Sequence, residues 1–300
     1  MASMTTIFIS TSDVPSLVTL FGIANGFDPE ANLRFDKNGF GLNYSTIDNM
    51  AMVEFESRGD QLSNYYYDDN CKLRTYIGVG LKSCYTMLKS IPAKAVGQIY
   101  KIEDDDELYV NCEGSTSKDG ASKIHTINLS VDDTEPPQIR DSDVYIKVNT
   151  SDFSNMCSAF IKSACKTIKF TTRKNVLYIR GFDEYGECRS AHSFRNSGPN
   201  EEESDDIVDD NNAIKIKKGK LNIAIKKKIP SDQYSVETTI DKLKPLAKIN
   251  NLCKNGIVYV YVCKQEGIDK RENIIVLKTN VGQIGTFKVY LRDTTQDNLY

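Results

Sequence analysis

The chain has 300 residues, 40% of them apolar and none of them tryptophan, and its net charge is −3 at pH 7. That length holds two domains of ordinary size, and no apolar run reaches the ~18 residues that a membrane-spanning helix needs. A near-neutral chain has no general attraction for nucleic acid, so any such binding must come from one locally basic surface.

The apolar stretch near the N-terminus has no basic region ahead of it, so no signal peptide is expected. A first helix is expected from Asp13. It buries Val14, Leu17, Val18 and Phe21 and shows Ser12, Ser16 and Thr19. Strand-like runs follow at 33–36, 40–43 and 50–55, with a turn signal at 37–39 that fits an antiparallel hairpin. A second helix is expected over 81–91. It buries Leu81, Cys84, Tyr85 and Leu88 and turns Lys82, Thr86 and Lys89 outward. The acidic run 104–107 reads as a turn between strands at 99–102 and 108–110 rather than as a metal site. A third helix is expected over 152–164, capped by Ser151 or Asp152. Its apolar stripe is Phe153, Met156, Cys157, Phe160, Ile161 and Ala164, opposite Asn155, Ser158 and Lys162. Strands are expected at 167–170, 176–179 and 188–194.

An acidic tract over 195–212 comes next. Its composition cannot support a packed core, which predicts an exposed, mobile loop. Basic blocks follow at 215–221 and 226–229. The fourth helix, near Ile240, sets Ile240, Leu243 and Ala247 on one side and Lys242, Lys244 and Lys248 elsewhere. Pro245 inside it would cost ~3 kcal/mol unless the helix begins or kinks there. In the strand 257–263, Ile257, Tyr259, Tyr261 and Cys263 alternate with Val258, Val260 and Val262, after a second hairpin-like turn signal at 254–256.

The order of elements therefore runs twice. The first helices of the two halves start 139 residues apart (13 to 152) and the second helices 159 apart (81 to 240). The 20-residue difference is about the size of the acidic tract. Few helices, many strands and no regular βαβ alternation give an α+β class with antiparallel sheets. The four helices share one oddity: their outward faces carry small polar residues and lysines, with Asp241 the main acidic exception.

Catalytic signals are missing. The eight cysteines (Cys71, Cys84, Cys112, Cys157, Cys165, Cys188, Cys253 and Cys263) form no C-x-x-C pair. They read as reduced core residues of a reducing compartment. The only histidines, His125 and His192, stand in no nucleophilic motif. The glycine pair at 78–83 lacks phosphate-loop spacing. These readings favour a binding protein over an enzyme, with no metal and no cofactor.

Four segments, in order, resemble the eukaryotic-type DNA sliding clamp, the proliferating cell nuclear antigen family: 37–55, 76–89, 152–160 and 282–291. The resemblance spans nearly the whole chain. It departs where the first helix lacks lysine, where Asn155 and Ser158 stand at often basic positions, and where Arg292 and Asp293 replace Ala-Pro after the last strand. The departures mark a divergent member.

The resemblance implies a DNA-clamp fold of two similar domains, 1–131 and 144–300, joined by a linker over 132–143. Three copies would close a ring around duplex DNA as a homotrimer. Lys82, Lys89, Lys162, Lys242, Lys244 and Lys248 would touch phosphates without sequence preference. Ring closure would pair the strand 124–131, through His125, Ile127 and Leu129, with 188–194, through Arg189, Ala191 and Ser193. A pocket of Met50, Met52, Pro137, Ile139, Tyr290 and Leu291 would receive PIP-box peptides of DNA polymerase and other replication or repair proteins. A clamp loader ATPase would open the ring. The implied location is the nucleus, or a cytoplasmic replication site if the protein is viral. Two alternatives remain open: one subunit of a checkpoint-type heterotrimeric clamp, and a viral replication or late-transcription accessory factor with a clamp fold.

Overall fold

The computed structural model describes residues 5–68, 74–103, 105–114, 121–131, 136–137, 139, 145–173, 176–195, 217–218, 234–266 and 271–294. The chain divides into two units. The first takes Met1–Pro136, Lys248–Lys254 and Lys278–Val289, and the second Pro137–Ala247, Asn255–Leu277 and Tyr290–Tyr300. Each unit combines antiparallel sheet with a few short helices, an α+β construction.

The first unit runs β1 (Thr5–Thr11), α1 (Val14–Ala24), β2 (Glu30–Asp36), β3 (Gly39–Ser45), β4 (Ala51–Arg58), β5 (Asn64–Tyr67), β6 (Thr75–Gly80), α2 (Leu81–Lys89), β7 (Gly97–Ile102), β8 (Glu107–Cys112) and β9 (Ser122–His125). One sheet has the order β5-β1-β7-β8-β9, all antiparallel. A second contains β6-β2-β3-β4. The turn signal at 37–39 does close the β2–β3 hairpin. Gly39 is needed there: at φ 157° a Cβ would sit 2.0 Å from the Ser57 carbonyl oxygen. Alternation on β1 turns Ile7 and Ile9 inward, where Ile99 and Val110 join them. Phe21, Phe35 and Phe55 are fully buried, and each such side chain contributes roughly 1.5–3 kcal/mol.

The second unit runs β10 (Tyr145–Asn149), α3 (Thr150–Lys162), β11 (Thr167–Arg173), β12 (Val176–Phe182), β13 (Cys188–Arg195), β14 (Lys217–Lys218), β15 (Tyr234–Thr239) and α4 (Ile240–Leu243). A 3-10 turn, Pro245–Asn251, comes next, then β16 (Ile257–Glu266), β17 (Arg271–Val281) and β18 (Gly285–Arg292). The last part of that turn and the facing ends of β17 and β18 belong to the first unit. The sheet order here is β14-β13-β12-β11-β15, and β10 pairs antiparallel with β16. The core gathers Phe153, Phe160, Phe170, Leu177, Ile179 and Val236.

Several expectations shift. The third helix starts at Thr150, and its cap position, Asn149, makes no side-chain bond. Instead the Thr150 N–H donates to the Gly256 carbonyl at 3.0 Å. Ile161 is exposed, and Ala164 lies past the helix end at φ 53°, so neither joins the buried stripe. Pro245 brings no clash into an α-helix: α4 stops at Leu243 and a 3-10 turn begins at the proline. A residue without an N–H is harmless at such a start. The turn signal at 254–256 leads from that turn into β16 rather than joining two strands, because 245–251 winds before it. The rest of the acidic tract from 196, the basic blocks apart from 217–218, and Cys71 lie outside the described residues.

Candidate nucleic-acid interface

In the first unit, Asp13 sets α1. Its carboxylate accepts the Ser16 N–H at 3.3 Å, and its other oxygen accepts the Gln283 N–H at 3.4 Å. Gly282, at φ 49°, lets the chain come this close; a Cβ there would lie 1.7 Å from the Asp13 carboxylate. Ser16 is buried rather than shown outward, and its hydroxyl donates to the Leu252 carbonyl at 3.3 Å. Thr19 spends its hydroxyl on the Pro15 carbonyl one turn back, at 3.0 Å. No charged side chain occurs along α1.

The second helix of this unit is different. Leu81, Cys84 and Leu88 are buried, while Lys82, Ser83, Thr86 and Lys89 are exposed. Spacings of 3 and 4 produce this split. Tyr85, expected in the core, is half-buried. It lies against Gly22 of α1, where a Cβ would meet its ring at 3.1 Å, and the Lys89 ammonium sits 5.4 Å from its ring centroid. That contact holds Lys89 near the helix surface and leaves its charge intact. Lys248, on the 3-10 turn, is also exposed. Burial pushes the Cys84 thiol up to about 12, so it stays protonated at neutral pH.

In the second unit, α3 buries Phe153, Met156, Cys157 and Phe160 and exposes Ser151, Asn155 and Lys162. Ser154 donates its hydroxyl to the Ala247 carbonyl. Lys242 is half-buried. Lys244 is exposed and pairs with Asp241 at 2.6 Å, which offsets part of its charge. Such an exposed pair contributes at most ~1 kcal/mol and is screened by salt. Among the described residues, Lys82, Lys162 and Lys248 make no ion pair, and they are exposed. They are free to meet an anionic partner.

The edge strands come out unequal. β9 ends its sheet, but the strand expected over 124–131 stops at His125. Ile127 then bridges to Gly78 of β6, with Leu129 beside it. His125 is largely exposed, 3.6 Å from a Glu107 oxygen. On β13, Arg189 pairs with Asp183 at 2.6 Å and with Glu187 at 3.0 Å. Desolvation pulls Asp183 upward. The backbone N–H groups of Glu187 and Tyr185, with the Arg189 guanidinium, outweigh it and hold the carboxyl below its usual value. Ala191 and Ser193 are half-buried, and His192 packs edge-on against Phe160 with centroids 5.2 Å apart. Outside β13 lies β14.

Of the residues expected to receive peptides, Met50, Pro137 and Ile139 are half-buried, while Met52, Tyr290 and Leu291 are buried. Ile47, which sequence reasoning passed over, stands 88% exposed on the β3–β4 turn. Among the described residues no group of three acidic, histidine or cysteine side chains is placed to hold a metal ion.

No family model matches the chain, and no curated protein matches it. Among solved structures, the crystal structure of Proliferating Cellular Nuclear Antigen from Entamoeba histolytica aligns over 96% of this chain and 99% of that chain, with a TM-score of 0.69 at 13% identity. The fold is the clamp fold. Within it, exposed Lys82, Lys89 and Lys162 lie on α2 and α3, half-buried Lys242 lies on α4, and α1 is the helix that carries no lysine.

Proposed function

We propose that this protein is a DNA sliding clamp, a non-enzymatic ring of three copies that encircles duplex DNA and tethers DNA polymerase and other replication or repair proteins. The observation that carries this reading is a clamp fold over 96% of the chain, combined with exposed lysines on its helices and 3-10 turn. Lysine–phosphate contacts are sequence-independent and weaken with salt, so they cannot hold a polymerase for long by themselves. Topological closure can, while the contacts stay weak enough to slide. Lys82, Lys89, Lys162, Lys242, Lys244 and Lys248 would supply them. The ring would close through 124–131 against 188–194 and would need a loader ATPase to open. Clients would dock PIP-box peptides near Met50, Ile139 and Leu291, in the nucleus or at a viral cytoplasmic replication site.

Light scattering tests the reading. At micromolar concentration the mass should be three times the 33.7 kDa chain. A strictly monomeric species would favour one subunit of a heterotrimeric clamp. A trimer should also raise polymerase processivity on circular, not linear, templates. PIP-box peptides should bind it, and Ile139→Ala should weaken that binding without changing the mass. The uncharged α1 favours a second reading, a clamp-shaped accessory factor that does not encircle DNA. A trimer with no salt-dependent DNA association would support it.

A further inference from the structure

One face of the sheet β5-β1-β7-β8-β9 carries a continuous row of rings. Strand pairing sets Tyr66 opposite Phe8, Phe8 opposite Tyr100, Tyr100 opposite Tyr109 and Tyr109 opposite Lys123. Five neighbouring strands thus line up five side chains, over about 19 Å at the usual strand spacing. The other face holds Ile7, Ile9, Ile99, Val110 and Ile124, all buried. Away from that core, Tyr66 is 44% exposed, and Phe8 and Tyr100 are half-buried. Tyr100 and Tyr109 stack with centroids 5.1 Å apart and planes 8° from parallel. The Lys123 ammonium lies 5.4 Å from the Tyr109 centroid and 2.7 Å from a Glu107 oxygen. The chain's own lysine therefore displays how this face takes a cation: charge over a ring, with a carboxylate beside it. Two more carboxylates flank the row. Asp68 stands two residues past Tyr66. Asp105 accepts the Tyr109 hydroxyl, which holds its carboxyl below the usual value.

We propose that this row is a docking surface for a basic, arginine-bearing segment of a partner protein. Guanidinium planes stack on Tyr66, Phe8 and Tyr100 as Lys123 already covers Tyr109. Charge selects the partner: Asp68, Asp105 and Glu107 outnumber Lys101 and Lys123 beside the rings. Arginine suits the site better than lysine, because its planar group lies flat on an aromatic face and is more weakly hydrated. Single-stranded nucleic acid also stacks on aromatic rows, but it needs a positively charged groove along its backbone. Here the carboxylates would repel its phosphates. Cross-strand aromatic pairs do stabilise a sheet, yet that role does not require Tyr66 to stand in water or acids to gather beside the rings. The surface goes beyond the clamp reading and does not need the ring, since every residue of it belongs to the first unit.

The test titrates the full chain into a labelled peptide of four Gly-Arg repeats and reads anisotropy. Matched peptides carry lysine, or the neutral isostere citrulline, in place of arginine. The citrulline peptide should bind at least about tenfold more weakly, and the lysine peptide should fall between. A Tyr66→Ala, Tyr100→Ala chain should bind the arginine peptide about tenfold more weakly than the native chain. Tyr66→Phe, which keeps the ring, should bind as the native chain does. Lys123→Ala should bind several-fold more tightly, because it uncovers Tyr109 and frees Glu107. That gain is one a purely structural row would not give. If the double variant fails to fold, Tyr66→Ala alone replaces it, since Tyr66 is exposed. Equal binding by the native and alanine chains overturns the site, and equal binding of arginine and citrulline peptides overturns arginine recognition. Binding of oligo-dT in preference to the peptide, lost in Tyr66→Ala, overturns the peptide reading in favour of single-stranded nucleic acid. Peptide binding that follows these variants in a strictly monomeric chain supports the surface while the homotrimer fails.

Discussion

α1 and α3 open the two halves of the repeated order, and they reach the same position by different means. α1 is capped by a carboxylate, carries no charge, and turns Ser16 inward to the Leu252 carbonyl. α3 has no side-chain cap, leans on a backbone bond from Thr150 to Gly256, and keeps Lys162 and two small polar residues, Ser151 and Asn155, exposed. Each helix also spends one serine hydroxyl on a carbonyl of the segment 247–252. The shared part of the design is thus internal, and the difference lies on the surface. In the first unit the basic charge lies on α2 and at Lys248, with none on α1; in the second unit α3 carries Lys162. A duplicated frame can redistribute its surface charge freely, because exposed positions carry little of the packing energy.

Reversing charge should disturb this comparison most. The combined Lys89→Glu, Lys162→Glu, Lys248→Glu chain is expected to lose DNA association at physiological salt while its oligomeric mass stays unchanged. With single reversals, the slope of log affinity against log salt should fall by roughly 0.9 for each phosphate contact removed. Equal losses from Lys89 and Lys162 would mean the two units grip alike. Loss from only one would assign the grip to that unit.

Core truncation comes next. Phe21→Ala on α1 and Phe160→Ala on α3 should each cost ~3–5 kcal/mol, read from denaturant midpoints. Both rings are almost fully buried, so a cost under ~1 kcal/mol at either would contradict the packing described.

The caps give a sharper contrast. Asp13→Ala should cost about 1–2 kcal/mol, since it removes the bond to Ser16 and the one to Gln283. Asn149→Ala should cost under ~0.5 kcal/mol, because no cap bond exists to lose. Thermal melts of the two variants compare them directly.

The smallest effect is one of pH. Burial raises the thiol of Cys84 on α2 from 9.0 to about 12 and raises that of Cys157 on α3 as well. Well below pH 9 the thiols are protonated in both states and contribute no pH dependence. Above it the unfolded chain ionises first, so stability should fall as pH rises towards 12. At pH 10 the Cys84 share is about 1 kcal/mol, and Cys84→Ala should remove that share of the slope.

Much of this molecule was legible in the chain. Apolar spacing of 3 and 4 placed the buried faces of α2 and α3 because an amphipathic helix has one way to hide such a stripe. Lys37, Asn38 and Gly39 marked a hairpin because only glycine fits so close to Ser57. Ser16 misled, because a serine among apolar residues looks solvent-facing until a carbonyl from a distant segment is brought beside it. Ile161 and Ala164 misled because periodicity does not announce where a helix stops. Pro245 signalled a break but not that a 3-10 turn would follow. The extent of the β9 edge and the presence of β14 on β13 were beyond reach, since strand pairing is a contact between segments far apart in sequence and edge residues carry no pattern of their own. Local chemistry fixed where the helices begin, the β2–β3 hairpin and the exposed lysines of α2 and α3. Which serine turns inward, where an edge strand ends and what covers it were decided only when distant segments met, because those outcomes depend on hydrogen-bond partners that the local sequence does not contain.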